Sequence, residues 1–102
     1  MMASTEVQEQ EGVMFIRLEA YLAELKAEEA NKPPGQQRMI PTVADLARAI
    51  GMSHQGLSNI VKNDVKQLSL ETGAKIIAEM RRRGFDMDVH DLIAYATRQA
   101  VA

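Results

Sequence analysis

The stretch TVADLARAIGMSHQGLSNIVKN, residues 42–63, decides how this chain is read. Thr42 stands three positions before Asp45 and introduces Val43, Leu46, Ala47 and Ile50, the pattern of a capping box that opens a short amphipathic helix. Gly51 ends that helix, because glycine enters the left-handed region without the steric cost of a Cβ. Ser53 caps a second helix running from His54 to about Lys62, with Leu57, Ile60 and Val61 as its buried side. Two short helices joined through a glycine, the second starting about three residues after the first ends, make a helix-turn-helix arrangement.

Working outward, Phe15, Leu18, Leu22 and Leu25 recur at helical spacing and predict an amphipathic first helix from Val13, with residues 13–16 also readable as a short strand. Pro33, Pro34, Gly35 and Pro41 make residues 31–42 an exposed loop insertion. After a polar connection, Ser69 caps a fourth helix in which Leu70, Gly73, Ala74, Ile77 and Met80 face one way. Arg81, Arg82 and Arg83 fall in its last turn, where cations complement the helix dipole, and Gly84 terminates it. Asp88 caps a fifth helix containing Val89, Leu92, Ile93 and Ala96. The expected organisation is a disordered acidic tail over residues 1–12, one domain over 13–96, and a C-terminal tail or helix extension over 97–102.

A chain of 102 residues suits one core of ordinary size. Apolar residues make up 46% but aromatics only 4%, with many Ala, Leu, Ile and Met, so the expected fold class is all-α with five helices. Without cysteine there is no disulfide framework and no thiolate zinc site, and the two histidines lie far apart, so no metal site and no cofactor are expected. No apolar run approaches the ~20 residues of a membrane span. The start MMASTEVQEQEG is acidic where a signal peptide is basic and then apolar, so a cytoplasmic protein is expected.

The net charge of -2 hides an uneven distribution. Residues 1–31 hold two Lys/Arg against seven Asp/Glu, residues 32–83 nine against four, and residues 84–102 one against three. The middle is therefore basic between acidic flanks, and placement matters more than the sum for an anionic partner.

The segment 42–63, with its capped helix, Ala47, Gly51, the Ser53 cap, Leu57 and Ile60, resembles the Xre-type family of repressors that includes the lambda repressor and Cro. The resemblance continues through LSLETGAKIIAEM and covers roughly residues 13–96. It implies a five-helix lambda-repressor-like DNA-binding domain whose second motif helix enters the major groove. Carried onto this chain, the base readers are His54, Gln55, Ser58 and Asn59. Independently, Gln55, Ser58, Asn59 and Lys62 occupy i, i+3, i+4 and i+7, one face opposite Leu57, Ile60 and Val61. Amides pair bidentately with adenine, serine donates or accepts, and Gly56 permits close backbone approach.

Phosphate contacts are expected from the rim: Thr42, Ser53 and Asn63 as hydroxyl, amide or helix-start donors, and Arg48, Lys62 and Lys66 as charges. Arg38, on the loop, is a further candidate for DNA contact. Two departures from the family stand out. Many members carry glutamine where this chain has Val43, and the 31–42 loop is long. Arg81, Arg82 and Arg83 read as dipole-complementing and stay outside the site.

The expected function is sequence-specific double-stranded DNA binding as a transcription regulator, acting as a repressor. It would work as a homodimer on an inverted-repeat operator, using residues 89–102 together with 13–16 as interface. The alternative is an antitoxin or protein-interaction module of the same fold, with a toxin or another protein as partner. No Ser/His/Asp set, metal cluster or phosphate-cradling loop points to an enzyme, so no catalytic residue is assigned.

Overall fold

The computed structural model describes residues 12–63 and 68–97. The described residues are mostly helical, with a short two-stranded sheet among them. Strand β1 (Gly12–Ile16) leads into α1 (Leu18–Ala30), a single 3₁₀ turn (Pro34–Gln36), α2 (Val43–Ile50), α3 (His54–Asn63), α4 (Leu70–Arg82), the one-turn α5 (Val89–Leu92) and strand β2 (Ile93–Thr97).

At the N-terminal end β1 matches the alternative reading of residues 13–16 as a short strand, and at the C-terminal end β2 corrects the all-α expectation. Helix α1 starts at Leu18, not Val13, and the fifth helix stops at Leu92, so Ile93 and Ala96 are extended instead of helical. The two segments pair antiparallel, with Gly12 opposite Thr97, Met14 opposite Tyr95 and Ile16 opposite Ile93. The Arg17 N–H then donates to the Leu92 carbonyl at 2.6 Å, extending the pairing up to the start of α1. β-branched and aromatic residues (Val13, Phe15, Ile16, Ile93, Tyr95, Thr97) favour a pleated surface, and each strand supplies the hydrogen-bond partners the other needs. Gly12 and Thr97, assigned to tails from sequence, face each other at one end of this ribbon.

Helix boundaries follow local chemistry. Thr42 Oγ1 accepts from the Asp45 N–H at 3.1 Å while the Thr42 N–H donates to Asp45 Oδ2 at 3.0 Å, a complete capping box. Gly51 adopts φ 83°, and the Met52 N–H donates to the Ala47 carbonyl at 2.8 Å, closing α2. Ser53 Oγ accepts from the Gly56 N–H, and Ser69 Oγ from the Thr72 N–H, both at 3.0 Å. Gly84 turns at φ 96° after α4, and the Asp88 carboxylate caps α5.

The core gathers Leu18, Tyr21, Leu22 and Leu25 from α1, Leu46 and Ala47 from α2, Leu57 and Val61 from α3, Ile76 and Met80 from α4, then Phe85, Met87 and Leu92. On α3 the buried side is Leu57, Ile60 and Val61. On α4 the expected face is displaced: Gly73, Ile76 and Met80 are buried, Ala74 is exposed and Leu70 is 91% exposed. Leu70 is the first residue of α4, too close to its end to share the face that Ile76 and Met80 bury. Gly73 leaves room for Leu92, whose Cδ2 would stand 3.2 Å from an added Cβ and would have to give by a few tenths of an ångström.

Candidate nucleic-acid interface

Helix α3 is held by its inner side and offers its outer one. Leu57 is fully buried, which fixes the helix rotation so that His54, Gln55, Asn59 and Lys62 are exposed and Ser58 is half-buried. The three-residue turn 51–53 that sets α3 against α2 is closed by Gly51 on one side and the Ser53 cap on the other.

Within this face, Gln55 Nε2 donates to Asn59 Oδ1 at 2.8 Å. The helical spacing placed these amides on one side, and the structure joins them directly. Gly56 has a local use within the helix start. A Cβ there would sit 3.0 Å from Ser53 Oγ, so the glycine makes room for the cap that starts the helix.

The rim residues differ in what they have left to offer. The hydroxyl oxygens of Thr42 and Ser53 accept main-chain N–H groups; the Thr42 hydroxyl also turns to the Asp45 carboxylate, while the Ser53 hydroxyl hydrogen remains to offer. The Arg48 side chain is 78% exposed and makes a long 3.5 Å contact to Asp45 Oδ1. The Asp45 carboxyl lies below the usual range chiefly because the Thr42 N–H and hydroxyl bond to it. Lys62 is exposed in the last turn of α3. Lys66 and the side chain of Asn63 lie outside the described residues.

Arg38 is committed elsewhere. Its Nε and Nη2 donate to Glu29 Oε2 at 3.0 and 2.8 Å, its Nη1 donates to the Gly84 carbonyl at 2.7 Å, and its guanidinium stacks 4.2 Å from the Phe85 ring centroid. These contacts tie the 31–42 loop to the turn after α4, which gives Arg38 a structural role. Arg81, Arg82 and Arg83 are likewise engaged: Arg81 Nε donates to the Met87 carbonyl at 2.7 Å, and Arg82 and Arg83 hold the buried Glu79 carboxylate. Those two arginines keep the Glu79 carboxyl below its ordinary range.

Two apolar surfaces accompany the polar one. The ribbon exposes Val13, Met14, Phe15 and Tyr95. A groove of about 240 Å³ lies between α4 and α5, lined by Leu68, Gly73, Ala74, Ile77, Leu92 and Ile93, with exposed Leu70 and Val89 also at its walls.

Among the described residues, no group of three or more His, Asp or Glu side chains is placed to hold a metal ion, and no helix is long and apolar enough to cross a membrane. Comparison of the chain with protein-family models, with curated proteins and with solved structures found no match.

Proposed function

We propose that this chain is a sequence-specific double-stranded DNA-binding protein, a cytoplasmic transcription regulator acting as a repressor, with a lambda-repressor-like domain. The observation that carries the reading is the outer face of α3. It is built of amides, a hydroxyl and an imidazole, is anchored by buried Leu57, Ile60 and Val61, and is set on α2 by a capped three-residue turn. Such a face has the donors and acceptors that base edges in the major groove complement, and Arg48 and Lys62 supply charge for phosphates. No catalytic role is assigned to any residue.

One such helix contacts few base pairs, so the protein would act as a homodimer on an inverted repeat, and the apolar ribbon of β1 and β2 is the surface we assign to self-association. Selection of bound duplexes from a random library by the full-length chain tests the reading. An enriched inverted repeat with half-sites near one helical turn apart supports it, and the absence of any enriched sequence contradicts it.

The groove flanked by Leu70 favours a second reading, a protein-interaction module or antitoxin that binds a toxin or another protein there. Under that reading Leu70→Glu abolishes partner binding and leaves DNA binding intact.

A further inference from the structure

The Gln55 to Asn59 hydrogen bond assigns different tasks to two residues that spacing alone would treat as equals. Asn59 leans back toward the start of α3, as helical side chains do, and its Oδ1 is met by Gln55 Nε2 at 2.8 Å. That contact uses one lone pair of Asn59 Oδ1 and restrains the plane of its amide. The Asn59 Nδ2 group, and the Oδ1 lone pair that Gln55 does not use, can still offer a donor beside an acceptor.

A donor beside an acceptor is the complement of adenine, which presents N7 as acceptor and the N6 amino group as donor in the major groove. Guanine presents two acceptors there and would leave Oδ1 facing an oxygen or a ring nitrogen. A freely rotating amide loses rotational freedom on binding, and an amide already held loses less.

We infer that Asn59 reads a single adenine and that Gln55 is a positioning residue that holds the Asn59 amide for it, the two side chains forming one reading unit. The inference rests on the DNA-binding reading above. Gln55→Met is the informative variant, because methionine keeps the length and helix preference of glutamine but cannot hold an amide.

The experiment is library selection with the full-length wild type, Gln55→Met, Asn59→Ala and the double variant, followed by affinity measurement on the enriched duplex and on its single-base-pair variants. The wild type is expected to fix one A·T pair. Asn59→Ala and Gln55→Met should each lose about tenfold discrimination at that same pair, with the double variant no worse than Asn59→Ala. Replacing the adenine by 7-deazaadenine, which lacks the N7 acceptor, should reproduce the Asn59→Ala loss in the wild type. If Gln55→Met relaxes a different base pair from Asn59→Ala, or the two losses add, the inference is wrong while DNA reading by α3 stands. If the wild type enriches no sequence, DNA reading fails and the inference with it.

Discussion

Arg38 is fastened to Glu29 by three hydrogen bonds: its main-chain N–H donates to Oε1 at 2.7 Å, and its Nε and Nη2 donate to Oε2 at 3.0 and 2.8 Å. Lys32 Nζ adds a fourth at 2.8 Å. Glu29, only 4% exposed, thereby pins both limbs of the 31–42 loop to the end of α1, and the Arg38 guanidinium passes on to Gly84 and Phe85.

These bonds hold the Glu29 carboxyl at about 2, well below its ordinary 4.5, the Arg38 side chain contributing most and Lys32 next. A carboxyl depressed on folding contributes stability that is fully present above its unfolded value and lost as pH falls through the folded one. The loop anchor should therefore persist above about pH 4.5 and weaken from there towards pH 2. Asp45 and Glu79 shift in the same direction, so the comparison that isolates Glu29 is wild type against Glu29→Gln. Thermal unfolding across pH 2 to 6 should show a shallower pH dependence for the variant. Parallel curves would mean that Glu29 is not the titrating anchor.

Arg38→Ala should lower the melting temperature without touching DNA binding. Loss of the Phe85 stacking and the Gly84 bond amounts to about 1–2 kcal/mol. The salt dependence of DNA affinity should be unchanged. A flatter salt slope would place Arg38 among the phosphate contacts.

Glycines 51 and 56 should respond differently to alanine. Gly51 has open space around a built Cβ but sits at φ 83°, so Gly51→Ala should cost roughly 1–2 kcal/mol from backbone strain alone. At Gly56 the gain in helix propensity, about 1 kcal/mol, is opposed by crowding of the Ser53 cap. Ser53→Ala should accordingly cost ~1 kcal/mol in the wild type and clearly less in the Gly56→Ala background. Equal costs in both backgrounds would show that the glycine is not what makes room for the cap.

The caps were legible in the sequence because Thr42, Gly51, Ser53, Ser69, Gly84 and Asp88 each have a residue type suited to one local task. The buried side of α3 was legible because Leu57, Ile60 and Val61 leave no other face apolar. The C-terminal strand was not, since Val89, Leu92, Ile93 and Ala96 satisfy helical spacing after a genuine cap, and β1, the partner that draws Ile93 and Tyr95 into a strand, lies some eighty residues away. Tyr21, Ile76, Phe85 and Met87 escaped notice for related reasons. Phe85 and Met87 sit in a short connection without periodicity, and on α4 Leu70, Ala74 and Ile77 trace as regular a helical stripe as the buried Gly73, Ile76 and Met80. Spacing put Gln55 and Asn59 on one side of α3, but nothing in it specified that they bond. Nothing in the sequence singles out Glu29, because its partner Arg38 comes nine residues later, beyond two prolines.

If the exposed ribbon carries self-association, ending the chain at Ala94 should abolish it. The truncation removes the partners of Gly12, Val13 and Met14, along with exposed Tyr95. Sedimentation at micromolar concentration should give a dimer for the full chain and a monomer for the shortened one. Two monomers, or two equal dimers, would rule out the ribbon as the interface.

Lys62→Ala and Arg48→Ala should each weaken binding to every duplex and reduce the slope of log affinity against log salt by about one unit, as loss of one phosphate contact requires. A slope that does not change would remove that residue from the interface.

The claim that the outer face of α3 meets DNA is tested most directly by titrating the isotopically labelled full-length chain with a short duplex at low salt and following its NMR spectrum. The sequence of the duplex need not be known for this, because non-specific contacts at micromolar to submillimolar affinity form through the same surface. The account predicts that the backbone amides of residues 53–62 and the side-chain NH₂ signals of Gln55 and Asn59 shift together, while those of the β1 and β2 ribbon and of Leu70 do not. Shifts confined to the ribbon or the Leu70 groove, or no shift at all at low salt, would contradict it.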